Sequence, residues 1–311
     1  MHNFMDNNRK YIFSGHETFS LRYGWLKKIF DACENIEKNK KSIIKDLFNS
    51  EEAIAILGVG KNMVASMRHW ASYTGILAQD ENRNLYVTDS ARILFTDNGL
   101  DPWMENFATL WYIHHKLVTN PVLFLYYWVF NKLNVLDFDK ETLFTTIKEV
   151  LQERKISVSD LTLRRDIECF LSMYCVKTMK DLSLGEENIE SPLTELGLIS
   201  HLTRRDLFEL KNGFKSSISS YTFLYVLLKF WKEYSPNSST LALEAICYAP
   251  FSPGRVFVMN ENDLSEYLVS ISSSSEGLLE WSETAGLKQL ILKQKIDFEK
   301  EAMDFFVRNY K

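Results

Sequence analysis

Apolar positions recur along this chain at helical spacing, and one stretch breaks the rhythm in an organised way. From Leu57 to Val87 the sequence reads LGVGKNMVASMRHWASYTGIL, then AQDENRNLYV. Gly58 and Gly60 bracket Val59 and give the backbone the freedom that a sharp helix-to-helix turn needs. Met63, Val64, Met67 and Ala71 then fall at the i, i+3/i+4, i+7 spacing of one buried helical face. Asn62, Ala65, Ser66, His69 and Tyr73 lie on the other side, flanked by Lys61 and Arg68. Gly75 is the stop, because glycine is favoured just past a helix end. Leu77 enters a strand, Asp80 to Asn84 supply turn residues, and Leu85, Tyr86 and Val87 return. A helix-turn-helix followed by a hairpin predicts a winged helix. Its usual partner is DNA, and docking to protein is the other common use of the shape.

Upstream, Ser14-Gly15-His16-Glu17 has the S-x-x-E spacing of a capping box, with Glu17 reaching back to Ser14. The helix it would start carries Phe19, Tyr23, Leu26 and Phe30 along one side. Lys38, Lys40 and Lys41 mark a solvated connection to a helix burying Ile43, Ile44, Leu47 and Phe48. Asn49 or Ser50 caps the next helix, which leads into the glycine turn. Downstream, Thr88 and Asp89 cap a helix through Leu94, and Asp101-Pro102 opens another with proline at its first position. Trp103, Phe107, Leu110, Trp111, Ile113 and Leu117 follow, and Val122 to Phe130 has hardly any polar side, as in a helix packed all round. Helical spacing continues from Thr142 to Leu151 and, capped by Asp160, from Ile167 to Met179.

Composition turns polar from Lys180 to Pro192, the best domain boundary. Beyond it come short elements around Asn212-Gly213, a helix from Tyr221 to Trp231, and a helix from Asp263 to Ile271 capped by Asn260. Leu278 to Trp281 reads as a strand and Leu287 to Tyr310 as one long charged helix with a break. The expected fold is mainly α. A winged helix-turn-helix occupies residues 1–100, a helical middle 101–180, and an α-rich C-terminal domain with short strands 181–311, whose helix, helix and hairpin hint at a second, degenerate winged helix.

At 311 residues two or three domains are expected. A net charge of −5 excludes a protein coated in basic surface, so any nucleic-acid contact has to be local. The first residues show no signal-peptide succession, and the longest unbroken apolar run, Val122 to Phe130, is far short of the roughly 20 residues of a membrane span. A cytoplasmic protein without membrane contact is expected. Cys33, Cys169, Cys175 and Cys247 are too few and too scattered for a disulfide framework or a zinc knuckle, and are expected to pack as small apolar residues.

Chemistry is harder to find. A metal-dependent nuclease displays clustered carboxylates or a His-Asn-His arrangement, and neither stands out, so the residues predict no metal site. His16 and Glu17 are candidates for general acid–base work and Arg22 for clamping a phosphate, while a capping box accounts for Glu17 without catalysis. His114 and His115 are adjacent on a helix and cannot chelate as an i, i+4 pair could; one is expected to pack and the other to be exposed. Asp101 and Glu105 have the i, i+4 spacing that would suit a metal, but first-turn acids are the commoner explanation. Arg255 stands in a stiff Ser-Pro-Gly-Arg loop that either places it on a phosphate or forms a plain turn.

The candidates for contact with DNA are better placed. Lys61 stands at a helix start, where free backbone N–H groups already favour phosphate. Asn62, Ser66 and His69 lie on the presumed groove face, and Arg68 and the wing-tip Arg83 would hold flanking phosphates. Asp80 and Glu81 make the wing mixed in sign, which predicts modest, salt-sensitive affinity.

Six ordered blocks carry a family resemblance. FSGHETF (Phe13 to Phe19) with LRYGWLKK (Leu21 to Lys28), LGVGKNMV (Leu57 to Val64) and DPWMENFATLW (Asp101 to Trp111) are followed by SPLTELGLI (Ser191 to Ile199), SPGRVF (Ser252 to Phe257) and ETAGLKQL (Glu283 to Leu290). Together they resemble a family, formerly a domain of unknown function, whose best-known members are the SspB proteins of bacterial DNA phosphorothioation systems. Those systems replace a non-bridging phosphate oxygen with sulfur. The resemblance implies a DNA-acting component working beside a cysteine desulfurase, an ATPase and a PAPS-reductase-like protein. The SspB branch is described as nicking the strand to be modified, which would call for a divalent metal such as Mg2+ or Mn2+. The alternative is a non-catalytic adaptor that brings the sulfur-transfer partners to DNA.

Overall fold

Apolar spacing places the helices, and local capping sets where they end. The computed structural model describes residues 10–39, 47–48, 51–176, 190–202, 206–284 and 286–311. Helix α1 (Trp25–Asn39) buries Trp25, Leu26, Ile29, Phe30 and Cys33 along one face. Helix α2 (Glu52–Leu57) closes at Gly58, whose φ of 64° lies in the left-handed region that glycine enters without a Cβ penalty. Helix α3 (Lys61–Tyr73) buries Val64, Met67, Trp70 and Ala71. Gly75, at φ 80°, turns the chain into the antiparallel pair β1 (Leu77–Gln79) and β2 (Leu85–Val87), in which Leu77 faces Val87 and Gln79 faces Leu85. Thr88 caps helix α4 (Asp89–Phe95) by accepting the Ala91 N–H. The expected helix, turn, helix and hairpin are therefore all present.

The segment before α1 departs from expectation. Residues 13–18 form turns and bends, with Gly15, Glu17 and Thr18 at φ 105°, 48° and 67°. Left-handed backbone at Glu17 and Thr18 cannot continue a right-handed helix, so no capping box forms at Ser14.

The middle of the chain holds α5 (Phe107–Val118), α6 (Phe124–Asn131), α7 (Lys140–Glu153) and α8 (Asp160–Tyr174). Pro102 does not start α5. The Asp101 carboxylate instead accepts the N–H groups of Glu105 and Asn106 at 2.8 and 3.0 Å and the Thr109 hydroxyl, fixing a turn ahead of α5, which Asn106 caps. Asp101 is thus engaged with its own chain rather than paired with Glu105 for a metal. Ser159, not Asp160, caps α8. The expectations for Lys40, Lys41, Ile43, Ile44, Asn49, Ser50 and residues 177–189 lie outside the described residues.

Two further sheets follow, the first of which joins the middle of the chain to its C-terminal third. Strand β3 (Asp137–Phe138) pairs with β5 (Leu207–Leu210), which also pairs with β4 (Ile199–Leu202), all antiparallel. Helix α9 (Ser220–Tyr234) precedes β6 (Thr240–Ala242), α10 (Leu243–Tyr248), α11 (Pro253–Phe257), α12 (Glu261–Val269) and α13 (Ile271–Ser274). Strands β7 (Leu279–Thr284) and β8 (Leu287–Leu292) form a hairpin with β6 on the outer side of β8, and α14 (Phe298–Arg308) ends the chain. Residues 287–310 are therefore a strand and a helix, not one broken helix. Leu290 lies opposite both Leu241 and Trp281, so β8 is paired on both sides and pairing overrides its helical spacing. Helix α14 lies along α9, with Phe306 5.3 Å from Tyr225 and Lys229 and Lys232 both on Glu299.

Helix α5 is buried nearly all round, and both His114 and His115 are inside, which corrects the expectation that one would be exposed. The His114 Nε2–H donates to the Val256 carbonyl at 2.8 Å, and Nδ1 accepts the Tyr174 hydroxyl at 2.9 Å, joining α5 to α11 and α8. All four cysteines are buried and free. Among the described residues no helix is long and apolar enough to cross a membrane.

Burial pushes the His114 pKa down to about 3 and moves His115 in the same direction. The unfolded chain takes up these protons below about pH 6.5 and the folded chain does not. Stability should therefore fall as pH drops, by about 1.4 kcal/mol per pH unit for each such histidine. Urea unfolding at pH 7 and pH 5 checks this: the midpoint should fall at pH 5, and an unchanged or higher midpoint would contradict it.

Candidate nucleic-acid interface

The inner side of α3 is fixed by the non-helical segment in front of α1. The Phe19 carbonyl accepts both the Ser66 hydroxyl at 3.3 Å and the Trp70 indole N–H at 3.0 Å. His16 lies against the His69 and Trp70 rings, with centroids 5.7 and 6.0 Å away. Gly15 passes so close that a Cβ would stand 2.9 Å from His69 Nδ1. Ser66 and His69 are buried accordingly, so neither shares the open side of the helix that spacing assigned to them. Helical geometry explains this: α3 packs the core on one flank and the 13–19 segment on the next, leaving a narrow outer strip with Lys61, Asn62 and Ala65 exposed.

His16 is a structural centre. The Thr18 N–H donates to its Nδ1 at 3.1 Å, which leaves the proton on Nε2, and Nε2–H donates to Asp166 Oδ1 on α8 at 2.8 Å. Both residues are buried, and burial raises the Asp166 pKa against the opposing pull of His16. A carboxylate holding an imidazole is the arrangement of a general base, but here the second nitrogen accepts a bond inside its own turn. Arg22 is buried with its guanidinium over the Phe19 and Trp25 rings, 5.4 and 5.3 Å from their centroids. Glu17, by contrast, is exposed.

A cleft of about 1180 Å³ opens between α2, α3, the hairpin and the Gly15–Glu17 turn. Its walls include Glu17, Glu51, Lys61, Arg68, His69 and Tyr73. The structure thus brings Glu17, Lys61, Arg68 and His69 together. Burial holds the His69 pKa down to about 3, with His16 adding to the effect, so His69 is neutral at ordinary pH. Arg68 lies over the Phe48 ring at 5.4 Å. Lys61 is the first residue of α3, whose N-cap Gly60 contributes no side-chain bond, so the helix start is open to an anion. Arg83 is exposed at the hairpin tip, with φ 64° and its N–H on the Asp80 carbonyl. Arg255 is elsewhere: its guanidinium donates to the carbonyls of Tyr248 and Leu133 and to the Asn134 side chain, holding α11 to the end of α6.

Among the described residues, no three His, Cys, Asp or Glu side chains converge as a cation site. Among the described residues lining the cleft, the carboxylates are Glu17 and Glu51, and Lys61 and Arg68 share the walls with them.

A family profile described as "Protein of unknown function (DUF4007)" matches residues 13–310. The chain belongs to the DUF4007 family. No curated protein matches it. Two crystal structures of SspB are similar in fold, one of them magnesium-ion-bound, with TM-scores of 0.82 and 0.81. Each is 25% identical, and each match covers 95% of this chain and 87% of that one. The blocks quoted above as an SspB-like signature thus sit in a chain that carries the SspB fold. Among the described residues of this chain no three such donors form a cradle for a magnesium ion.

Sequence reasoning missed Asp166. Its signal was an acid within the stripe Leu163, Asp166, Phe170 and Met173, where spacing alone asks for an apolar residue. Replacing His16 by Ala leaves Asp166 buried without its donor and should cost about 3–5 kcal/mol, less whatever protonation of Asp166 recovers. Asp166→Asn keeps an oxygen for Nε2–H and should cost less. Thermal unfolding of both variants checks the order, and equal stability of His16→Ala and the parent would refute the structural role.

Proposed function

We propose that this protein is the DNA-holding component of a bacterial DNA phosphorothioation system. The observation that carries the reading is the likeness to SspB along 95% of the chain, together with the ordered sequence blocks of that family. In this reading residues 1–100 contain a winged helix formed by α1, α2, α3 and the β1–β2 hairpin. The uncapped start of α3 with Lys61 takes one backbone phosphate, Arg83 at the wing tip takes another, and Asn62 reaches a base edge. Arg68 adds positive charge from the cleft wall. Glu17, Glu51, Asp80 and Glu81 lower the local field, so affinity is modest and falls steeply with salt. The partners are the sulfur-transfer proteins that the family resemblance implies, delivered to DNA held in place.

The likeness to a magnesium-ion-bound SspB favours a second reading in which the protein also nicks DNA. Glu17, exposed at the cleft, is then the residue to test, since His16 and Arg22 are engaged in the core.

One preparation tests both. In about 50 mM salt the protein should retard duplex DNA, and Lys61→Ala and Arg83→Ala should each weaken binding several-fold and reduce the salt slope by about one. No retardation at low salt would overturn the holding role. Supercoiled plasmid incubated with Mg2+ or Mn2+ reads nicking. Relaxed circles that disappear with Glu17→Gln support it, and no relaxation by the parent protein removes it.

A further inference from the structure

One exposed aromatic is displayed rather than merely left uncovered. Trp103 is 60% exposed, yet its neighbours pin the turn that carries it. Asp101 is fixed by its three hydrogen bonds, and Met104 is buried at φ 58°, a conformation unfavourable for a non-glycine residue unless its surroundings hold it. Beneath the indole lies Lys27, whose side chain is only 6% exposed and whose Nζ is 5.8 Å from the ring centroid. The same ammonium holds one oxygen of Asp31 at 2.7 Å and one of Asp97 at 2.9 Å. The Asp97 side chain is 95% exposed and that of Asp31 52%. Two carboxylates and one indole are thus gathered around a single buried cation, with net negative charge facing solvent. Glu105, Tyr23 and Phe107 are exposed as well.

We propose that Trp103, Asp97 and Asp31 form a docking face for an arginine-bearing segment of a partner protein. A guanidinium is planar, stacks on an indole face and bonds carboxylate oxygens, and here the indole and both carboxylates meet around Lys27, each aspartate keeping one oxygen off the ammonium. The excess of carboxylates repels phosphate, so the face selects against nucleic acid. A fixed turn and a salt-bridged lysine hold the groups in place before binding, which lowers the ordering cost. The inference stands apart from the DNA reading, because none of these residues lines the α3 cleft.

The test uses the full chain labelled with 15N at its seven tryptophans, with the Trp103 indole signal assigned from its loss in Trp103→Phe. The probe is the peptide acetyl-Gly-Arg-Gly-Arg-Gly-amide. The Trp103 signal should shift saturably, several-fold more tightly than with the lysine analogue, and the shift should be lost in Asp31→Asn/Asp97→Asn. Unmoved signals from the other six indoles in that variant would show that it is folded. An unresponsive Trp103 signal would overturn the proposal. So would a response to oligo(dT) that survives in the aspartate variant, or a shift with protein concentration alone, which would mark a second copy of this chain as the occupant.

Discussion

The hydrogen bond between His16 and Asp166 ties together residues 150 positions apart, and the placement of α3 depends on it. The segment before α1 makes no regular element, so its backbone groups must find partners elsewhere. Ile12 donates to the Val122 carbonyl, Leu21 N–H points at the Met173 sulfur, and the Phe19 carbonyl takes two donors from α3. The buried imidazole anchors the centre of this strap to α8, and Gly15 lets it press against His69. A helix flank that would otherwise be free is covered as a result.

That covering decides what α3 has left for function. Its apolar face is in the core and the flank with Ser66 and His69 is under the strap, so the surface left for the proposed contact with DNA is the first turn, the hairpin tip and the cleft rim. These regions carry both signs of charge, and the whole chain is acidic. A protein built this way gains little from non-specific attraction to a polyanion. In the proposed reading, local geometry at the helix start supplies the contact, which suits holding DNA for another activity better than scanning it.

Much of the architecture was legible in the sequence because it rests on local rules. Gly58 and Gly75 sit at the left-handed positions their contexts predicted, and the apolar runs of α6 and α9 mark helices enclosed by others. What was not legible depends on distant partners. Strand β8 has helical spacing, and only β6 and β7 make it a strand. Ser14 to Glu17 spells a capping box, and only Asp166 shows why the chain turns there instead. The site divides along the same line. Lys61 and Arg83 stand where spacing put them, whereas Ser66, His69 and Arg255 are claimed by partners from other elements.

The claim that DNA is held along the outer strip of α3 and the β1–β2 hairpin is tested most directly by hydrogen–deuterium exchange of the full chain with and without duplex DNA. Added duplex should slow exchange in residues 61–68 and 77–87 while leaving β6, β7 and β8 unchanged. Protection confined to the C-terminal sheet, or none anywhere under conditions where DNA is bound, would contradict the account.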